Sequence, residues 1–482
     1  MRDIFNSNRK LLILCILIGA LIRIVFTVTI AEHYFGRENI YVNNDTPAWT
    51  NSFVNLIETG TYSTNPDHEY GYFLRMPGYS FFIGIFYLIT GGNLEITYPL
   101  IAWIQILLDV FMIFIVYRTG MNIFQNIKTA LILSLIYACY PFIIVWNPVV
   151  YSESLSIAFL IITVYFFSGS NRYRYYLSGI FISLGILNRP QLILFVPIIG
   201  LFMLFQYRRQ FKYLFKYGIQ FSLMIVIVYG AWPARNYFNH NKLIFTQDLR
   251  AAANWNIDVI AFMQYIYSVK PEWEPQFSNI IHNKKVSFPK EAYINKEDSL
   301  KLEKAVQLSK NCGSGFSNWQ GYWNEPIEGD NCNEEIARLF TELRENQIKN
   351  NTLNFYLWVP LKNLKKALLK TRLSDTGSMI RKLASLLFYC RALLIFIGLA
   401  GCIMMIKNKN HYGIVFLLYF FSLYILLCFG TGVQFRNIEM RYFLPADVLL
   451  LIPAAYCISK IFTLLKQIKS EARSTKFEIK TK

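Results

Sequence analysis

Charge is scarce in this chain. Of its 482 residues only 16% are Asp, Glu, Lys or Arg, against about 25% in ordinary soluble domains. The shortage falls mainly on the acids, 30 against 48 Lys and Arg, which leaves a formal net charge of +18. Histidine is rarer still, with five residues. No Cys/His spacing fits a zinc site, no glycine-rich loop fits a phosphate, and no nucleophile elbow is present. These absences exclude zinc modules, nucleotide-loop enzymes and hydrolases of the elbow design. A cleavable signal peptide is also missing: Leu11–Ile30 is longer than a signal's apolar core of roughly 7–15 residues, and no small-residue cleavage site follows it.

What is abundant is apolar surface, 54% of residues, with 17% aromatics. A spanning helix needs about 20 apolar residues. Candidates are Leu11–Ile30, Thr97–Tyr117, Thr129–Trp146, Val149–Ser168, Tyr175–Leu187, Leu192–Phe205, Gly218–Pro233, Ala384–Ile406, Tyr412–Gly430 and Phe443–Leu465. The fold class expected is an α-helical polytopic membrane protein with about ten spans. The fifth and sixth candidates meet at Asn188-Arg189-Pro190, where proline breaks a helix and Arg seeks a polar end. The run Gly78–Thr90 is different. At 1.5 Å per residue it covers roughly 20 Å, too little for a hydrocarbon core of about 30 Å, and it reads as a helix lying on the membrane surface.

The Lys and Arg excess follows this topology. With a cytoplasmic N-terminus, the inside segments hold Arg2, Arg9 and Lys10, then Arg118 and Lys128, Arg172 and Arg174, Arg208 to Lys216, Lys407 and Lys409, and a basic tail from Lys460 onward. That is the positive-inside pattern, and a spanning 78–90 would break it. The excess is therefore assigned to topology and anionic lipid headgroups, not to nucleic acid. Four parts result: a membrane module 1–236 whose first outer loop, 31–96, carries two interfacial helices; a polar extracytoplasmic lobe 237–383 ending in an amphipathic interfacial helix, Asn354–Leu373; membrane helices 384–465; and a basic cytoplasmic tail 466–482. Six of the eight cysteines lie in spans. Cys312 and Cys332 lie in the lobe, and the sequence leaves open whether they pair to close a loop worth about 3 kcal/mol. His68 stands alone between Asp67 and Glu69. It reads as a solvated turn, with a metal contact as the alternative.

Polar residues at the outer ends of spans are the candidates for chemistry. Asp45 opens DTPAWTNSFVNLIETG, a short amphipathic helix ended by Gly60, and has the signature of an N-cap. Arg75 precedes the surface helix and is either a snorkelling anchor or a ligand contact. Glu153, in NPVVYSESL, enters an outward helix end, where a carboxylate is costly and so functional or paired with Arg. Arg189, Arg235, Arg436 and Arg441 also lie at outer ends. Together these arginines suit a lipid-linked phosphate, and a carboxylate beside them suits removal of a hydroxyl proton. Arg23 and Asp109 lie inside the first and second spans, where the bundle interior is open to them, and Arg391 lies near the outer part of the eighth.

The motifs NNDTPAWTNSFVNLIETGTYS, RMPGYSFFIGIFYLITGG, NPVVYSESL, GILNRPQLILFVP, WPARNYF and MRYFLP occur in an order that resembles a known family. It is that of the polytopic GT-C glycosyltransferases, in the protein O-mannosyltransferase and aminoarabinose-transferase branch. The likeness covers about residues 1–245 and 430–465. It implies a GT-C fold and transfer of a sugar from a polyprenyl-phosphate donor on the extracytoplasmic face, usually with inversion. It further implies Asp45 as general base, Glu153 as the second acid, and Arg75, Arg189, Arg235 and Arg441 around the donor phosphate. Arg436 and His68 are added candidates. The acceptor is a lipid, a glycan or a protein. Many members carry a second acid directly after the first, where this chain has Thr46. No metal site is assigned, and a divalent ion is left open. The setting expected is a bacterial inner or plasma membrane with both termini cytoplasmic. The competing readings are a transporter or flippase of lipid-linked sugars, which should show polar residues along a path through the bilayer, and an envelope polysaccharide polymerase or ligase.

Overall fold

A computed structural model of the chain describes residues 2–67, 71–248, 256–312, 315–323, 332–369, 378–431, 436 and 439–480. Among them there are helices and no strands. The N-terminal part contains α1 (Arg2–Val25), α2 (Thr46–Thr59), α3 (Pro77–Ile89), α4 (Leu94–Phe124), α5 (Ile127–Ala138), α6 (Ser152–Ser168), α7 (Arg174–Asn188), α8 (Phe195–Tyr207), α9 (Phe211–Val228) and α10 (Ala231–His240). A middle part holds α11 (Ile257–Val269), α12 (Glu274–Ile281), α13 (Lys296–Asn311), α14 (Gly315–Trp323), α15 (Asn333–Asn350) and α16 (Val359–Leu369). Three helices follow: α17 (Ser378–Lys407), α18 (Tyr412–Phe429) and α19 (Met440–Lys480).

Among the described residues, seven helical segments are long and apolar enough to cross a bilayer: Asn8–Phe35, Leu94–Phe124, Pro190–Tyr207, Phe211–His240, Ser385–Lys407, Tyr412–Phe429 and Met440–Ile468. The other three expected spans are the helices α5, α6 and α7, of 12, 17 and 15 residues. The run 129–146 is not one helix. Proline lacks the amide hydrogen and pushes its predecessor out of the helical region. Tyr140, before Pro141, is accordingly extended, and only a four-residue turn, Pro141–Ile144, follows. Elsewhere the helices run longer than the apolar stretches, as in α4 and α19, because polar residues at each end continue the turn.

The stretch expected to lie on the membrane surface, 78–90, is a helix, α3, with Met76 extended before Pro77. It packs on α2. Gly84 makes that approach close: a Cβ there would fall 2.3–2.4 Å from the Phe53 ring carbons. Gly60 ends α2 in the left-handed region, φ +74°.

One apolar core runs through the membrane bundle from Cys15 to Ala455. A separate core, from Val259 to Leu343, fills the middle part around Phe262, Tyr265 and Phe340. Cys312 and Cys332 form a disulfide there, joining the end of α13 to the start of α15. A third cluster, with Trp49, Tyr79, Ile83, Val150 and Tyr151, lies where α2, α3 and the start of α6 meet.

The span charges are paired. Arg23 is fully buried. It donates to Asp109 and to the carbonyls of Gly19 and Ala138, and the Tyr137 hydroxyl donates to the other Asp109 oxygen. Arg391 does the same with Asp447 at 2.6 Å, the Ala367 carbonyl and Tyr424, whose hydroxyl donates to Asp447.

Candidate functional site

Local sequence fixes where each charged group stands. Asp45 directly precedes α2, but its side chain does not cap the helix. Its backbone is already helical, φ −86° and ψ −15°, so the carboxylate points away from the first-turn amides. The Thr46 hydroxyl instead accepts from the Asn43 amide and donates to the Val150 carbonyl. The Asp45 amide donates to the Tyr151 hydroxyl at 3.1 Å. The N-cap expectation is thus corrected: both carboxylate oxygens are committed elsewhere.

Oδ1 accepts from Arg75 at 2.9 Å and Oδ2 from Arg441 at 3.0 Å. The two arginines come from opposite ends of the chain, 30 and 396 residues from Asp45. Pro77 starts α3 and leaves Arg75 in the turn before it. There its guanidinium lies 4.5 Å from the Trp49 ring centre, an attractive stacking for a cation over a π face. Arg441 sits in the first turn of α19, where a helix N-terminus disfavours a cation. Acids offset this: Arg441 also donates to Glu439 at 2.6 Å and lies 3.9 Å from Glu153. Burial raises the pKa of Asp45, and the Arg75 and Arg441 guanidiniums outweigh it, so the carboxyl titrates below its ordinary value of 3.8.

Glu153 is 1% exposed, in the first turn of α6, where the helix dipole favours an anion. It forms an ion pair with Arg189. Arg189 is held extended, φ −143°, because Pro190 follows it. Its guanidinium stands 5.6 Å from the Tyr442 ring centre. The result is one cluster of three arginines, Arg75, Arg189 and Arg441, facing three carboxylates, Asp45, Glu153 and Glu439.

Two predicted arginines stand outside it. Arg235 donates to the Tyr62 and Tyr72 carbonyls and to Asn236, and stacks on Tyr62 and Trp232. It holds the loop leading to Arg75, and among the described residues its hydrogen bonds reach no member of the cluster. Arg436 is buried and donates to the carbonyls of Gly430, Tyr267 and Phe355. Desolvation lowers its pKa to about 10. It ties the middle part to the bundle. His68 lies outside the described residues. Sequence reasoning missed Glu439, although it directly precedes the MRYFLP motif that holds Arg441, and missed Tyr151, whose only signal was its place two residues before Glu153. Among the described residues no three His, Cys, Asp or Glu side chains converge as a metal site would require.

A helical bundle with a second, separate apolar core, and an acid between arginines at the helix ends, resembles known structures. The oligosaccharyltransferase of Archaeoglobus fulgidus, tethered to an acceptor peptide, matches 96% of this chain and 50% of its own, at TM-score 0.50 and 14% identity. The same enzyme with an inhibitory peptide and a dolichol-phosphate matches 97% and 52%, at TM-score 0.48 and 14% identity. The chain spans about half the length of these proteins. The fold is that of the GT-C glycosyltransferases. Within it, residues 75–232 match the family model of dolichyl-phosphate-mannose-protein mannosyltransferases. No curated protein sequence matches the chain.

Proposed function

We propose that this protein is an integral-membrane glycosyltransferase. It moves a sugar from a polyprenyl-phosphate donor to an acceptor hydroxyl on the extracytoplasmic face, with inversion at the anomeric carbon. The observation that carries the reading is the Asp45 carboxylate held between Arg75 and Arg441, each within 3.0 Å. A phosphate with a lipid tail reaches the cluster from the bilayer. It takes guanidinium donors from Asp45, because arginine forks suit phosphate oxygens as well as carboxylates. Asp45, relieved of its counter-ions, becomes more basic and accepts the acceptor's proton. The acceptor oxygen bonds to the anomeric carbon, the carbon–phosphate-oxygen bond breaks, and its electron pair leaves on the phosphate. The arginines stabilise that charge as it develops. Glu153 keeps Arg189 turned toward the cluster.

The family-model match and the fold support a polyprenyl-phosphate-sugar donor, and the excess of Lys and Arg on one set of loops supports cytoplasmic termini. The four-part division at 236, 383 and 465 fits this arrangement. Purified protein should consume one member of a panel of labelled polyprenyl-phosphate sugars. Asp45→Asn should lose at least about a hundredfold in turnover while binding the donor phosphate more tightly, since the competing carboxylate charge is gone. Full turnover by Asp45→Asn, or weaker donor binding, contradicts the assignment.

A further inference from the structure

A second basic feature lies away from the arginine cluster. The short helix α16 and the turn after α11 enclose an open cleft of about 350 Å³, lined by Lys270, Pro271, Glu272, Lys362, Lys365, Lys366 and Leu369. Residues 362, 365, 366 and 369 follow the i, i+3, i+4, i+7 rule and share one helical face. Four ammonium groups meet one carboxylate there. Lys366 pairs with Glu272 at 3.0 Å. Among the described residues, Lys362 and Lys365 have no acidic partner within ion-pair distance, and both are exposed. Lys362 and Lys365 stand one turn apart on the same face and repel one another, so this face of the cleft is arranged for an anion.

Its position says which anion. The segment leading into α16 exposes Leu353, Tyr356, Leu357 and Trp358, and Leu361 continues the row, each more than a third exposed. Large apolar side chains beside a lysine row mark a helix lying in the plane of a bilayer interface, with lysines at headgroup depth. The opposite face is fixed to the protein: Phe355, Val359, Asn363 and Ala367 are buried, and the Ala367 carbonyl accepts from Arg391 of span α17. The helix therefore sits where the bundle meets the middle part, with its free side toward lipid.

We infer that this cleft binds the phosphate headgroup of an anionic phospholipid in the leaflet bordering α16. The lysines supply point-charge recognition of the phosphodiester, and the Leu357, Trp358 and Leu361 row covers the start of the acyl chains. The binding fastens α16, and through it the turn at 270–272, to the membrane. It is independent of sugar transfer.

Trp358 sits on the rim and reports on the site. The full-length protein would be placed in bilayers of brominated phosphatidylglycerol or brominated phosphatidylcholine. The Trp358 signal is isolated as the difference between the wild type and Trp358→Phe. Expected is stronger quenching by the anionic phosphatidylglycerol, with the preference falling roughly fivefold for each lysine removed in Lys362→Gln and Lys365→Gln. Unchanged thermal unfolding of these variants, both altered only at exposed positions, keeps the reading clear. Equal quenching by the two lipids overturns the proposal. So does a preference that survives in the double lysine variant. Loss of the preference on adding inorganic phosphate, with lipid composition constant, overturns the commitment to a lipid.

Discussion

At the residue scale, Asp45 shows how a position can be legible while its use is not. Polar acid, proline and aromatic in DTPAW announced a helix start, and the helix begins at Thr46. The side chain was expected on the first-turn amides and lies on two guanidiniums instead. Nothing local to DTPAW could show this, because one partner is 396 residues away. The same holds for Glu153, whose pairing with Arg was foreseen but not which Arg. The geometry sets a pH dependence. A carboxylate with a lowered folded pKa contributes stability above its unfolded value and loses it as pH falls through the lowered one. The Asp45 pairs therefore persist through neutral and mildly acidic pH and fail only below the ordinary aspartate value of 3.8. In the proposed mechanism, donor binding draws Arg75 and Arg441 toward phosphate and lets the Asp45 pKa rise. The acid limb of kcat should lie at higher pH than that of kcat/KM for the donor. Coincident limbs in a pH–rate series would show that the arginines do not leave Asp45.

At the element scale, long apolar helices were readable from composition alone, since a 20-residue apolar run has few other fates. The breaks were readable where proline made them, as at Arg189-Pro190, and misjudged where a proline sat inside an apolar run, as at Pro141. What periodicity could not show was the pairing of span charges. Arg23 with Asp109 and Arg391 with Asp447 join helices far apart in sequence, and each pair is completed by a tyrosine. Removing one partner leaves a buried charge uncompensated, at a cost of about 3–5 kcal/mol. Asp447→Asn should therefore lower the temperature at which the detergent-purified protein loses its folded, monodisperse state. Asp447→Asn combined with Arg391→Met should recover much of the loss. A single variant as stable as the wild type would mean that Arg391 is served by its carbonyl and tyrosine contacts alone.

At the scale of the whole molecule, the polar composition of 237–383 set that stretch apart from the membrane helices, and the described residues there build their own apolar core with a disulfide. How that part attaches was not legible, because two buried side chains make much of the attachment: Arg391 donates to the Ala367 carbonyl, and Arg436 reaches carbonyls in three separate places. Arg436 was expected near phosphate. It instead donates to Gly430, Tyr267 and Phe355 from a left-handed backbone, φ +64°. Arg436→Ala should leave the donor's KM within about twofold while making the middle part more susceptible to limited proteolysis and lowering kcat by roughly tenfold. An unaltered proteolysis pattern would remove Arg436 from this role.

Arg441, which holds Asp45, lies five residues after this fastening. The middle part is therefore a poor candidate for exchange between proteins. A chimera that kept the bundle but took its middle part from another chain would need to supply carbonyls at the places of Tyr267 and Phe355, or strand a buried guanidinium within five residues of the Asp45 cluster.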